Sequence, residues 1–133
     1  MMSNEPLSAD AAGFTATSLD AEALSRLREL DPKGENKLLE RVLRAFQSSA
    51  ARLMPQLETA RLANDRATVR LVAHTLKSSS ASIGALALSQ VCAQVEALIR
   101  ADSADDLDPL LHQLRQALAA ALNAIERLLG DHP

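Results

Sequence analysis

Residues 107–128 read LDPLLHQLRQALAAALNAIERL, and this stretch decides the fold class. Its apolar side chains recur at alternating intervals of four and three residues, which places them on one side of an α-helix. This spacing is typical of the seam of a helix that packs at a shallow angle in a bundle. The seam consists of Leu107, Leu111, Leu114, Leu118, Ala121, Ile125 and Leu128.

Similar helical patterns fill the preceding sequence. The period begins at Ser18, which we expect to cap a short first helix ending near Leu30. Pro55 should kink the next helix or divide it into two packed pieces. Turn signals separate the longer helices, which are predicted over about 36–63, 66–83, 85–100 and 107–129. The predicted fold is therefore all-α, an antiparallel four-helix bundle with the short first helix as a lid.

Length and composition set the domain organisation. The chain has 133 residues, of which 47% are hydrophobic, enough for one domain with a single core. Tyr and Trp are absent, which disfavours a β-sandwich or barrel. We predict a disordered N-terminal lead over residues 1–17, the helical bundle over 18–130 and a tail over 131–133.

Charge and composition also exclude several function classes. The net charge is −3, so the chain lacks the basic footprint of a nucleic-acid binder, and it lacks aromatic stacking platforms. A single cysteine, Cys92, excludes an intrachain disulfide and any multi-cysteine zinc site. No apolar run is long enough for a membrane span, and the start does not resemble a secretory signal. We therefore expect a cytoplasmic protein with no nucleic-acid or membrane partner.

The third predicted helix carries the chemistry. On a helical wheel its core stripe consists of Val69, Val72, Ala73, Leu76, Ser80 and Ile83. His74 lies about 140° from Val69, well outside that stripe. Its neighbours on the wheel include Arg70, Leu71, Lys77, Ser78 and Ala81. An imidazole should thus project from the side of a helix, with a cation and small side chains beside it.

This arrangement suits a nucleophile that meets a second protein. An imidazole that is uncharged at neutral pH has one nitrogen free to attack. Lys77 can neutralise a dianion added to the ring, and the small Ser78 and Ala81 leave room for a partner. Arg70 and Leu71 are the other candidates for a partner-binding face. A metal site is disfavoured because His74 has no His, Asp or Glu one turn away, and a Ser/His hydrolase would lack an oxyanion hole.

The residues that carry this pattern resemble a known family. Residues 74–85 read HTLKSSSASIGA and are followed by Leu88, Cys92 and Glu96. This stretch resembles the histidine-containing phosphotransfer (HPt) domain of bacterial multistep phosphorelays. The resemblance extends less sharply over about residues 19–129. Where the family commonly has Gly four residues after the histidine, this chain has Ser78, and we expect docking to survive with an altered partner preference.

The resemblance implies a function. His74 would take a phosphoryl group from the aspartyl phosphate of a receiver domain in a hybrid sensor kinase. It would pass the group to the aspartate of a receiver domain in a response regulator. Lys77 would pair with the phosphoryl oxygens, and Glu96 would hydrogen-bond the imidazole and fix its tautomer. The protein would have no kinase activity and no cofactor of its own, since Mg²⁺ would come with the receiver. A monomer suffices for this role.

Simpler interpretations remain open at this point. The alternative function is a helical docking module that binds a receiver or sensor kinase without carrying phosphate, which Leu71 and Ser78 would suit. Glu96 lies at the margin of its own helix stripe, so periodicity alone does not bring it to His74. It could be a solvated rim charge. Cys92 is expected to be a small core residue.

Overall fold

The computed structural model describes residues 19–130, and this part of the chain consists of helices joined by turns. In chain order the helices are α1 (Ala21–Glu29), α2 (Leu38–Leu62), α3 (Arg66–Ser82), α4 (Leu86–Arg100) and α5 (Asp108–Gly130). Helices α2 to α5 form the antiparallel four-helix bundle, and α1 packs against α2 as the lid, so the predicted fold class is confirmed. The predicted lead (1–17) and tail (131–133) lie outside the described residues.

Side-chain caps fix where two of the helices begin. The predicted cap at Ser18 is wrong, because α1 begins at Ala21 and the Asp20 carboxylate accepts the Ala23 backbone N–H. Asp65 caps α3 in the same way and accepts both the backbone N–H and the hydroxyl of Thr68. Each carboxylate satisfies a donor that the first turn leaves without a helical partner.

The apolar faces predicted from the sequence form the core. The α3 stripe over Val69 to Ile83 is buried, and so is the α5 seam up to Ile125, while Leu128 is half-buried. Leu76 and Leu114, one from each helix, are fully enclosed. Helix α3 therefore has one side fixed against the bundle, which leaves its opposite side for solvent.

Helix α2 runs without interruption through Pro55, so the predicted division into two pieces is wrong. Proline lacks an N–H and leaves the carbonyl of the residue one turn earlier without its helical bond. That residue is Ala51, and both it and Pro55 lie on the exposed face of α2. Water can reach the carbonyl there, so the helix continues.

The turn between α3 and α4 is held tightly to the start of the lid. Gly84 has φ +82°, and its carbonyl accepts the backbone N–H of Asp20 at 2.9 Å. A Cβ at Gly84 would lie 2.6 Å from that same nitrogen, so only glycine fits. This short turn sets α3 and α4 side by side, where they form the most extensive helix pair of the bundle.

Candidate functional site

His74 projects from α3 on the side away from the core. Its neighbours Ala73 and Leu76 are fully buried, whereas the His74 side chain is 54% exposed. The helical wheel places the imidazole outside the stripe, and the structure has it there. The ring is therefore within reach of another molecule.

One ring nitrogen of His74 contacts a buried carboxylate on the neighbouring helix. Nδ1 lies 3.0 Å from Oε2 of Glu96, whose side chain is only 2% exposed. Helices α3 and α4 approach closely here, since the Ser89 hydroxyl donates to the Lys77 carbonyl at 3.1 Å. The interpretation of Glu96 as a solvated rim charge is therefore wrong. The wheel of one helix could not show this, because the contact depends on how two helices are set against each other.

Two cations also contact the Glu96 carboxylate. Lys77 Nζ lies 2.6 Å from Oε1, and Arg100 Nη2 lies 3.4 Å from Oε2. Lys77 and Oε1 form a close ion pair, although its angles are not those of an ordinary hydrogen bond. We call His74, Lys77, Glu96 and Arg100 the Glu96 cluster. Sequence reasoning missed Arg100, although its position one turn after Glu96 on the same helix was a usable signal.

The electrostatics of the cluster fix the proton on the imidazole. The Lys77 ammonium is the largest cause that lowers the pKa of the Glu96 carboxyl, burial opposes it, and the hydrogen bond from His74 adds to the lowering. Glu96 is therefore ionised at neutral pH and can only accept. In the neutral ring, Nδ1 must then carry the proton and donate it to Oε2. The lone pair is left on Nε2, which has no hydrogen-bond partner within residues 19–130.

The residues predicted to meet a partner lie along α3 on either side of His74. Leu71 is 58% exposed, Ser78 and Ala81 are exposed, and Arg70 is half-buried. Leu71 is an exposed large apolar side chain about one turn before the imidazole. These residues and His74 form what we call the α3 strip (Arg70, Leu71, His74, Ser78 and Ala81), a surface of small and mixed side chains.

Other reactive side chains are arranged differently. Cys92 is fully buried, and burial, with the Glu96 charge adding to it, raises the pKa of its thiol to about 12. It is therefore a protonated core residue, as expected. His112 is exposed on α5. In residues 19–130 no group of three or more His, Cys, Asp or Glu side chains could hold a metal ion. That the protein works without a cofactor of its own stays a prediction.

Length and apolar character decide whether any of these helices can cross a membrane. Within the described part of the chain, none of them combines the length and apolar character that crossing a bilayer requires.

Fold and site together define a helical bundle that presents an exposed imidazole, oriented from behind by a buried carboxylate. The family model described as Hpt domain matches residues 41–124, a stretch that runs from α2 into α5 and contains His74, Lys77 and Glu96. This is more than half of the chain, which therefore belongs to the Hpt domain family. No curated protein and no solved structure matches the chain. Hpt domains carry phosphoryl groups in phosphorelays, interact with receiver domains and are not kinases.

Proposed function

We propose that this protein relays a phosphoryl group between receiver-domain aspartates of a two-component phosphorelay, with phospho-His74 as the intermediate. The observation that carries the proposal is the Nδ1–H bond to Glu96, which leaves the Nε2 lone pair on the exposed side of the ring. The donor would be a receiver domain of a hybrid sensor kinase and the acceptor that of a response regulator. The Mg²⁺ that such receivers bind would come with the partner.

The transfer step balances on these groups. The Nε2 lone pair attacks phosphorus in the aspartyl phosphate of the receiver, and an N–P bond forms. The bond between phosphorus and the acyl oxygen breaks, and the aspartate leaves as a carboxylate with the electron pair. Nδ1 keeps its proton, so the ring becomes positively charged. The Glu96 carboxylate, 3.0 Å from Nδ1, compensates that charge.

Lys77 supports the incoming group. Its ammonium is partly exposed and lies on the same helix, about one turn after His74. A phosphoryl group carries about two negative charges at neutral pH, and a nearby ammonium forms charge-assisted bonds to its oxygens. The side chain has to turn from Glu96 toward the ring to do so.

The α3 strip supports docking as well as transfer. The exposed Leu71 offers apolar area to a partner. The small side chains of Ser78 and Ala81 leave room for the partner to approach Nε2. The same exposed Leu71 favours the second candidate function, a docking module that binds a receiver or sensor kinase and carries no phosphate. Labelling separates the two.

The test is transfer from a labelled phospho-receiver. We expect wild-type protein to take up acid-labile, base-stable label, which is the signature of phosphohistidine, and His74→Gln to take up none. His112→Gln is the matched control, since His112 is also an exposed helical histidine, and it should label like the wild type. Equal labelling of His74→Gln would overturn the proposal. Receiver binding without any label on the wild type would establish the docking function instead.

A further inference from the structure

Phosphorylation of His74 would place a second anion next to the Lys77 ammonium, which already contacts Glu96. In the unphosphorylated structure Lys77 Nζ lies 2.6 Å from Glu96 Oε1. A phosphoryl group on Nε2 would compete for the same ammonium with about two negative charges. Glu96 is almost completely buried, and a buried carboxylate that loses its cation is strongly disfavoured. The positively charged ring of phospho-His74 stays beside Glu96, and a second cation would offset the loss of Lys77.

Arg100 is placed to do this. It lies one turn after Glu96 on α4, and its Nη2 is 3.4 Å from Oε2, the oxygen that accepts from His74 Nδ1. Its side chain is 61% exposed, and Glu96 is its one acidic partner within residues 19–130. The guanidinium is therefore held loosely enough to move closer and is not committed to another carboxylate.

We propose that Arg100 is a positioning residue that keeps Glu96 ionised, and so bonded to Nδ1, while Lys77 turns to the phosphoryl group. The inference rests on the proposed function, in which His74 is phosphorylated. Charge balance supports it. The positive ring and the two cations together match Glu96 and the phosphoryl dianion, so the phosphorylated cluster is neutral with Arg100 and carries one excess negative charge without it.

The first test compares Arg100→Gln with Arg44→Gln. Arg44 is the matched control, because it is 60% exposed and pairs with Glu40 one turn earlier on its own helix, at 3.1 Å. The measurement is the equilibrium ratio of phosphorylated protein to phosphorylated receiver. This ratio depends on the free species alone, so a changed docking contact does not alter it.

We expect Arg100→Gln to lower that ratio by about 3- to 10-fold, the range of a partly exposed ion pair to a buried charge. Arg100→Lys should recover most of the loss, and Arg44→Gln should leave the ratio unchanged. The ¹⁵N signal of Nδ1 in phospho-His74 should show a weakened bond in Arg100→Gln. An unchanged ratio, or an unchanged Nδ1 signal beside a lowered ratio, would overturn the inference.

The second test needs no phosphoryl group. In Lys77→Met, Arg100 should hold Glu96 ionised, so the ¹⁵N spectrum should still show the Nδ1–H tautomer of His74. In Lys77→Met/Arg100→Gln the share of that tautomer should fall. If Lys77→Met loses it as fully as the double variant, Arg100 gives no support to Glu96. If the wild type is never labelled by a phospho-receiver, the proposed function fails, and this test still decides the role of Arg100.

Discussion

Two carboxylates each contact basic side chains from two helices, but one carboxylate is exposed and the other is buried. Glu96 joins α3 and α4, whereas Glu58 joins α2 and α5 through Arg61 at 2.7 Å and Arg115 at 3.8 Å. We call Glu58, Arg61, Arg115 and Asp108, which also contacts Arg61, the Glu58 cluster. Glu58 is 48% exposed, but Glu96 is 2% exposed.

Exposure decides what each carboxylate can do. Water replaces any partner that Glu58 loses, so its surface ion pairs contribute little to stability. The pKa of Glu58 is lowered as well, chiefly by its hydrogen bond from Arg61. Glu96 has no such replacement, so its partners are constrained, and one of them is an imidazole. A buried ion pair is weak evidence for stability, and in our proposal this one serves to orient His74.

The largest effect should come from the apolar core, which supports both clusters equally. Leu76→Ala on α3 and Leu114→Ala on α5 each remove a fully enclosed side chain and should each cost about 2–5 kcal/mol in the free energy of unfolding. His74→Ala removes one hydrogen bond to Glu96, which keeps its two cations, and should cost about 1 kcal/mol. Urea denaturation measures all three. A large loss in His74→Ala would mean that the exposed ring is part of the fold, contrary to our interpretation.

The next largest effect should separate the two carboxylates by activity. Glu96→Leu removes the acceptor for Nδ1–H, and transfer to His74 should fall about 10- to 100-fold, as when a metal-binding histidine loses its orienting partner. Glu96→Gln keeps an acceptor oxygen and should lose less. Glu58→Leu should transfer at the wild-type rate. Initial rates from a phospho-receiver give the comparison, and equal losses in Glu96→Leu and Glu58→Leu would show that both act only on the fold.

The sequence predicted the fold to a large extent because helical periodicity needs only local information. The α3 stripe and the α5 seam up to Ile125 are buried as predicted. The wrong predictions concern which residue caps a helix and whether a proline divides one, and helical periodicity decides neither question. Asp20 caps α1 where Ser18 was expected, and α2 continues through Pro55 because that residue lies on the exposed face.

Helical periodicity predicted only part of the candidate site. The exposure of His74 follows from its own helix, and Lys77 follows from spacing. The contact between His74 and Glu96 depends on how α3 packs against α4, the most extensive helix pair of the bundle. A single-helix pattern contains no information on that packing. The resemblance to the HPt family indicated the contact, whereas the structure revealed Arg100 and the pairing of Lys77 with Glu96.

The smallest effect should appear in acid. The fold lowers the pKa of Glu96 below its ordinary value of 4.5, with Lys77 as the main cause. A carboxyl whose pKa is lower in the folded state stabilises the fold above the unfolded pKa, and this contribution is lost as the pH falls through the folded value. The free energy of unfolding of the wild type should therefore decrease below about pH 4.5 more steeply than that of Glu96→Gln, which cannot titrate at this position.

Salt distinguishes this loss from that of the Glu58 cluster. The pKa of Glu58 is lowered too, so Glu58→Gln should flatten the acid limb in the same direction. Because Glu58 is exposed, about 1 M salt should screen its contribution and remove the difference from wild type. The Glu96→Gln difference should persist, since its partners are close and its carboxylate is buried. If salt abolished both differences alike, Glu96 would be behaving as a surface charge, and the contrast between the two clusters would not hold.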